Sequence, residues 1–301
     1  MTSRQNISAS VKQRLLNRSK KDNRSFNELL QYYAMERFLY RLSLSSHAQH
    51  YILKGALMLR AWNSPEFRST MDIDMLGRTG NEETNIIVQI CDILAVEVDP
   101  DGLFFDSESI RTERISEDAD YEGIRVRFSG SLGTARISMQ IDIGFGDIYP
   151  DKGGYPEPEK AELPCMLDFP APSLLCYSRE SAIAEKFEAM IKLGHLNSRM
   201  KDFYDIWLLS RQFRFELSKL AEAVKLTFKQ RGTELNQPIE AFSADFISSR
   251  LSMWVVFRKR LKQDHVPASF QDIATEVESF LAPVINGASE EKEWTPAVSW
   301  S

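Results

Sequence analysis

Two aspartates that flank a single apolar residue, in the segment Asp72-Ile73-Asp74, constrain the fold of this chain more than any other feature. In an extended segment successive side chains point to opposite faces, so both carboxylates share one face while Ile73 and Met75 point into the other layer. Two neighbouring carboxylates repel each other unless a positive charge lies between them. Mg²⁺ prefers such hard oxygen ligands. The segment therefore predicts a strand that carries a metal–nucleotide site, and nucleotidyl transfer is the leading interpretation.

The length and charge of the chain set limits on its class. Its 301 residues allow one large domain or two small ones. The hydrophobic fraction of 43% and the charged fraction of 27% are those of an ordinary globular protein. A net charge of −6 argues against an all-over cationic surface for nucleic acid, although it permits a local basic groove.

The cysteines and the N-terminal sequence indicate the cellular compartment in which the protein is expected. Cys91, Cys165 and Cys176 show no CxxC spacing, which favours a reduced cytosolic protein over a zinc site or a disulfide scaffold. The polar N-terminus leads into no apolar signal region, and no apolar run is long enough to span a bilayer. We therefore expect a cytoplasmic protein without a membrane partner.

Apolar periodicity predicts an α+β fold, with alternating strands between two helical ends. A helix is also expected from His47 through Leu59, and a hairpin turn over Ser129–Gly133. The expected organisation is a core that includes the N-terminal helices, then a helical C-terminal domain, then a loose tail. These parts span residues 1–178, 179–285 and 286–301.

A third carboxylate lies on the strand predicted over 135–143. The strand alternates cleanly, so Asp142 lies on its polar face, as Asp72 and Asp74 lie on theirs. If the two strands are neighbours, three carboxylates converge, which is the arrangement that two-metal phosphoryl chemistry needs. Taken alone, Asp142 is explained as a polar side chain on a half-exposed sheet. The three carboxylates together favour a metal site.

Lys186 falls on the apolar side of the helix predicted over 179–194, between Ile183 and Met190. An ammonium group there is costly unless it has an anionic partner. A triphosphate or a metal-site carboxylate would serve as that partner. The alternative is a lysine that snorkels from the edge of the apolar stripe.

Asp202 projects from the inner face of the next predicted helix, and Asp205 flanks that face. An aspartate in a first turn often caps the helix or complements its dipole. Lys186 on the preceding helix nevertheless favours an inward charge pair. Arg199, just before the helix, is a candidate phosphate ligand, and the alternative is a solvated loop.

Five motifs occur in order along the chain. They are Leu53-Lys-Gly-Ala-Leu-Met-Leu59, Arg68-Ser-Thr-Met-Asp-Ile-Asp74, Gln140-Ile-Asp-Ile-Gly-Phe-Gly-Asp147, Ala184-Glu-Lys-Phe-Glu-Ala-Met190 and Asn197-Ser-Arg-Met-Lys-Asp-Phe-Tyr-Asp-Ile-Trp207. Together they resemble the AbiEii/AbiGii toxin family of nucleotidyltransferases, which belongs to the DNA polymerase β-type nucleotidyltransferase superfamily. The resemblance covers roughly residues 45 to 215.

This resemblance implies a mixed sheet with flanking helices that holds an NTP and Mg²⁺. It implies transfer of a nucleotide to an acceptor such as the 3′ end of tRNA. It also implies the toxin of a toxin–antitoxin or abortive-infection (phage-defence) pair, with a cognate antitoxin as partner.

The resemblance also implies roles for individual residues. Asp72 and Asp74 would be catalytic metal ligands, assisted by Asp142. Lys186 would meet the triphosphate, and Asp202 would be an essential acidic residue. The nucleotide-binding residues would further include Lys54, Gly55, Arg68, Thr70 and Arg199.

Three alternatives stay open at this point. Many relatives carry Gly-Gly or Gly-Ser where this chain has Gly55-Ala56, and the missing hydroxyl is the one hint of a non-catalytic nucleotide-binding regulator. Asp147 is a second candidate for the third carboxylate. The acceptor is either RNA or, as the acidic total charge suggests, a protein hydroxyl.

Overall fold

The structure is a computed structural model that describes residues 2–62, 64, 69–118, 121–145, 158–288, 291–296 and 299–301. The chain divides into two compact units, and each is described by itself. The first unit comprises residues 1–147 with 158–177, and the second comprises residues 178–301 with 148–157.

A mixed seven-stranded sheet forms the centre of the first unit. Its strands are β1 (Tyr51–Lys54), β2 (Ile73–Gly77), β3 (Leu103–Asp118), β4 (Tyr121–Leu132), β5 (Ala135–Gly144), β6 (Glu159–Glu162) and β7 (Ser173–Cys176). They lie in the order β3-β4-β5-β2-β1-β7-β6, with β2 parallel to β5 and β1 parallel to β7. The other neighbouring pairs are antiparallel. The expected α+β class with a mixed sheet is confirmed.

Helices cover one face of this sheet, because alternate residues of its long strands are apolar and need burial. The helices of the first unit are α1 (Thr2–Asp22), α2 (Phe26–Leu44), α3 (Met58–Ala61) and α4 (Glu83–Ala95). The buried Gln31 amide of α2 donates to the backbone oxygens of Met71 at 3.1 Å and Ser138 at 3.0 Å. These two bonds tie α2 to the segment before β2 and to β5.

Two local predictions are wrong in this unit. The helix expected from His47 through Leu59 is instead strand β1 between two short 3₁₀ turns, because all four residues of β1 are buried and show no helical periodicity. The turn expected over Ser129–Gly133 is tighter, since β4 runs through Leu132 and the chain reverses at Gly133, where φ is +59°.

The second unit is mainly helical, as the periodicity predicts. Its elements are α5 (Arg179–Leu193), α6 (Met200–Gln212), β8 (Phe215–Glu216), α7 (Leu217–Arg231), α8 (Ala244–Leu261), α9 (Phe270–Ile285), β9 (Glu293–Thr295) and β10 (Ser299–Trp300). The hydroxyls of Ser178, Ser243 and Ser269 cap α5, α8 and α9 by accepting a backbone N–H bond. Within the described part of the chain, no helix is both long and apolar enough to cross a lipid bilayer.

The residues after α9 do not form the loose tail that their composition suggests. Strand β9 pairs with β8 and β10, which makes a small three-stranded sheet. Trp294 is buried, and its indole N–H donates to the backbone oxygen of Ser210 at 2.6 Å. Trp300 stacks on Phe280 with ring centroids 5.7 Å apart. The buried indole ring of Trp294 and the half-buried ring of Trp300 therefore anchor this segment within the second unit.

A buried ion-pair network holds α2 to the loop before β3. The carboxylate of Asp101 is 2% exposed and accepts from Arg41 Nη1 at 2.7 Å and from Arg37 Nε at 3.4 Å. It also accepts from the backbone N–H of Leu103 at 3.1 Å. Since both guanidinium groups are buried as well, loss of the carboxylate would leave them uncompensated in a medium that solvates charge poorly.

We predict that Asp101→Asn lowers the free energy of unfolding by about 3–5 kcal/mol, because it breaks a buried ion pair on one side only. The measurement is the urea-unfolding midpoint followed by circular dichroism. The matched control is Asp168→Asn, which breaks a pair between a fully exposed carboxylate and the partly exposed Arg14 and should leave the midpoint unchanged. Equal midpoints for the two variants would contradict the assignment of Asp101 as the centre of the network.

Candidate active site

The parallel pairing of β2 with β5 brings three carboxylates together on one face of the sheet. Asp74 lies opposite Asp142 in the register, and Asp72 precedes β2 on the same face. Oxygen atoms of these three carboxylates all lie within 4.8 Å of one another. The strand alternation seen in the sequence therefore predicts a juxtaposition that the structure shows.

Arg125 of β4 holds the third carboxylate from the next strand. Its Nε donates to Asp142 Oδ1 at 2.8 Å and its Nη2 donates to Asp142 Oδ2 at 2.7 Å, a two-point contact. The hydrogen bonds that Arg125 donates to Asp142 raise the pKa of its guanidinium above the ordinary value. Sequence reasoning did not single out Arg125, although its place on the polar face of an alternating strand was the available signal.

Gly55 makes room for the carboxylate of Asp74. Lys54 pairs with Asp74 in the antiparallel register of β1 and β2, and Gly55 follows at once with φ at +73°. A Cβ atom on Gly55 would lie 2.0 Å from Asp74 Oδ2, so only glycine leaves this carboxylate in place. The glycine expected to admit a phosphate is thus in contact with the carboxylate cluster itself.

Thr70 supports the first carboxylate. Its hydroxyl donates to Asp72 Oδ1, and its backbone N–H donates to the buried phenol oxygen of Tyr32 at 3.0 Å. The segment before β2 is therefore fixed at both its backbone and its side chain. Thr70 acts on Asp72, whereas the resemblance implies that it binds the nucleotide.

The residues present fit a divalent metal. Three carboxylates offer several hard oxygen donors at one place, which is the ligand set that Mg²⁺ takes in proteins. The room that Gly55 leaves at Asp74 keeps those donors together. Asp72, Asp74 and Asp142 would hold the metal, as the resemblance implies.

In the second unit, Lys186 lies between two buried carboxylates. Its Nζ is 3.0 Å from Asp205 Oδ2 and 3.7 Å from Asp202 Oδ1. The Lys186 side chain is 16% exposed, while those of Asp202 and Asp205 are 0% and 3% exposed. An inward charge cluster is therefore present, and Asp205 makes the shorter contact with the lysine.

Arg199 completes this second cluster. Its Nε donates to Asp202 Oδ2 at 2.6 Å, so one carboxylate oxygen faces the arginine and the other faces Lys186. Asp202 is wholly buried and belongs to the first turn of α6. Asp202 therefore contacts a cation on each side of its carboxylate.

Two sequence-predicted residues lie outside the described part of the chain. They are Arg68, expected to bind the nucleotide, and Asp147, the alternative third carboxylate.

Comparisons with known proteins bear on the family and the fold of the chain. A family model described as nucleotidyl transferase AbiEii toxin, type IV toxin–antitoxin system, matches residues 37–291. The solved structure of JHP933 from Helicobacter pylori is 15% identical with a TM-score of 0.50, and the match covers 87% of this chain and 94% of that one. At that identity the likeness shows the fold alone.

A second solved structure, an H. pylori protein described as a candidate nucleotidyltransferase, is 14% identical with a TM-score of 0.48. That match covers 87% of this chain and 96% of the other. No curated protein matches the chain at a significant level.

We predict that Gly55→Ala reduces nucleotide transfer at least about a hundredfold, because its methyl group displaces the Asp74 carboxylate. Gly232→Ala is the matched control, since Gly232 also has a positive φ, +61°, but nothing lies within 4 Å of its Cβ position. Each variant should lose about 1 kcal/mol of stability from backbone strain, and Gly55→Ala should lose more because its methyl group also meets Asp74. Transfer that survives in Gly55→Ala at the level of the control would show that the cluster tolerates a moved Asp74.

A variant of Lys186 should separate structure from activity. We predict that Lys186→Met lowers the free energy of unfolding by about 3–5 kcal/mol, because Asp205 loses its cation inside the unit. Adding Asp205→Asn should recover part of that stability without recovering nucleotide transfer. The measurements are urea unfolding and a radiolabel transfer assay on both variants. Recovery of transfer along with stability would make Lys186 a purely structural residue.

Proposed function

The chain belongs to the AbiEii family of nucleotidyltransferase toxins of type IV toxin–antitoxin systems, and from this premise we propose that it transfers a nucleoside monophosphate from an NTP to the 3′ end of an RNA, with tRNA as the expected acceptor. An NTP substrate and an antitoxin partner follow from the family. The proposal further includes dependence on Mg²⁺, tRNA as the target, a role in phage defence and action in the cytoplasm.

The convergence of Asp72, Asp74 and Asp142 is the observation that carries this proposal. In the reaction, the acceptor hydroxyl oxygen forms a bond to the α-phosphorus, the bond from that phosphorus to the bridging oxygen breaks so that pyrophosphate leaves, and the hydroxyl proton passes to water. A divalent metal bound there supplies charge neutralisation for the phosphate oxygens. Asp72, Asp74 and Asp142 would hold this metal, and Arg125 keeps Asp142 oriented among them.

The cations of the second unit have a proposed role in the same reaction. Lys186 would neutralise charge on the triphosphate, as the resemblance implies, and Asp205 would set the position of its ammonium group. Asp202 would orient Arg199 and Lys186, since its burial argues against a role as base for the acceptor. Catalysis would then rest mostly on positioning and electrostatic stabilisation.

A labelling experiment tests the proposal. Purified protein is incubated with Mg²⁺, each α-labelled nucleoside triphosphate in turn, and either total RNA or cell protein. We expect label in small RNA, and we expect Asp74→Asn to reduce it at least about a hundredfold because the cluster loses a charged ligand. Asp92→Asn, at an exposed aspartate of α4, is the control and should transfer normally.

The other outcomes are equally informative. Label in protein would move the acceptor to a side-chain hydroxyl. Label in RNA that persists in a folded Asp74→Asn variant would remove the carboxylate cluster from the reaction. Replacing Mg²⁺ with a chelator should abolish the signal, and a full signal in chelator would exclude the metal.

A further inference from the structure

One face of the strands β3, β4 and β5 is open to solvent and begins at the carboxylate cluster. In antiparallel strands, residues that lie opposite each other share a face. The register places Arg125 between Asp142 and Glu113, and the next outward row contains Arg127 and Arg111. The face opposite is the apolar one, which α2 and α4 cover.

The far end of this face carries an aromatic side chain and a cavity. Ser131 pairs with Phe104 on one side and with Arg136 on the other. Phe104 is 57% exposed, which is unusual for a large aromatic ring on a described strand. A cavity of about 590 Å³ lies beside it and is lined by Phe104, Ser131 and Lys12 among others. That volume lies within the range of small-ligand pockets.

The cations of the face are available to an anion. The Arg127 side chain is 50% exposed, and its pair with Glu113 at 3.0 Å is also open to solvent, where such pairs contribute little. The Arg111 guanidinium donates to backbone oxygens of Glu108 and Ile110. Within the described residues, no carboxylate pairs with Arg111, Arg136 or Lys12. Among the described side chains of β3, β4 and β5, the acidic groups on this face are Glu113, Asp142 and Asp106, and Asp106 accepts a backbone N–H bond.

The dimensions suit an extended nucleic-acid strand. Six residues of β5 separate Arg136 from Asp142, which is about 20 Å at the usual rise per residue. That distance corresponds to about six nucleotides at the 3.4 Å rise of a stacked strand. Exposed aromatic rings among cations are the usual means of holding single-stranded nucleic acid, because bases stack and phosphates pair with the cations.

We infer that this outward face, defined by Arg111, Arg127, Arg136 and Phe104 and flanked by Lys12 of α1 at the adjoining cavity, binds the single-stranded 3′ segment of the acceptor RNA. Its backbone phosphates pair with the arginines, and a base stacks on Phe104 at the cavity. The strand then ends at the carboxylate cluster, where the acceptor hydroxyl is needed. This inference rests on the proposed transfer to RNA and names the surface that the acceptor uses.

Direct RNA binding tests the inference independently of catalysis. A short fluorescent single-stranded RNA is titrated with the full chain at several salt concentrations, and affinity is read from anisotropy. We expect the triple variant Arg111→Ala/Arg127→Ala/Arg136→Ala to bind roughly tenfold or more weakly near 0.1 M salt. The slope of log affinity against log salt should fall by about 2, since each lost phosphate contact on a single strand removes about 0.7. Phe104→Ala should weaken binding with the slope unchanged, because stacking carries no counterion.

Arg114→Ala is the matched control. Arg114 lies on β3 with a side chain 50% exposed, as Arg127 is on β4, and each arginine pairs with one glutamate. Arg114 faces the helix side of the sheet, where it contacts Glu83 of α4. The control should bind RNA as the unmodified chain does. Equal loss in the control and in the triple variant would overturn the inference, and so would no loss in either.

The transfer assay then shows whether the inferred RNA-binding face or the proposed function is wrong. If label enters RNA, the triple variant should raise the KM for RNA about tenfold while the KM for NTP stays unchanged. If label enters RNA but the KM for RNA is unchanged in the triple variant, the inferred RNA-binding face is wrong, whereas the proposed function is unaffected. If label enters only protein, the acceptor of the proposed function is wrong, and the anisotropy result alone decides whether the face binds RNA.

An unfolded triple variant would be recognised by circular dichroism. The single variant Arg127→Ala would then replace it, with an expected change of about 0.7 in the slope of log affinity against log salt.

Discussion

The close approach of three carboxylates is the constraint on which the rest of the first unit depends. Parallel pairing of β2 with β5 puts Asp74 beside Asp142, and like charges at this separation repel strongly wherever water is partly excluded. Arg125 supplies a compensating charge from the next strand, and Gly55 supplies the space that the Asp74 carboxylate needs. The register of β4 against β5 is fixed by the same requirement, because a slip of one residue would turn Arg125 into the core and expose its apolar neighbours.

Charge compensation also organises the second unit, where the cation Lys186 lies between the carboxylates of Asp202 and Asp205. Buried ion pairs seldom add net stability over apolar side chains of similar volume. Stability alone therefore gives no reason to keep Lys186, Asp202 and Asp205 inside the unit. Their presence is better explained by a need for an ammonium group whose position is fixed and whose surface remains partly open. An ammonium group of this kind suits the contact with phosphate groups that is proposed for Lys186.

Much of the architecture and of the candidate site could be predicted from single residues and their spacing. Strand alternation alone placed Asp72, Asp74 and Asp142 on polar faces, and helical spacing alone marked Lys186 as an inward cation. The role of Arg125 depends on which residue lies across from it. A turn over Ser129–Gly133 predicts a different register, whereas β4 runs through Leu132 and so sets Arg125 opposite Asp142. Strand β1 was mistaken for a helix because a short, fully buried segment has no periodicity to read. The polar composition of the terminal residues predicts a loose tail. The structure instead shows that the indole N–H groups of Trp294 and Trp300 donate to backbone oxygens of the second unit and hold these residues in place.

The contact between Arg125 and Asp142 is compatible with a metal site for a simple reason. An ionised carboxylate has two oxygens and about four lone pairs, so two N–H bonds from one guanidinium leave further lone pairs for other partners. Arg125 thus lowers the net negative charge of the cluster without exhausting its donors. That reduction matters for a site that must receive a polyanionic triphosphate, because three uncompensated carboxylates would repel it. The same guanidinium begins the row of arginines on the outward face, so one residue joins the charge balance of the cluster to the surface along which the acceptor is inferred to approach.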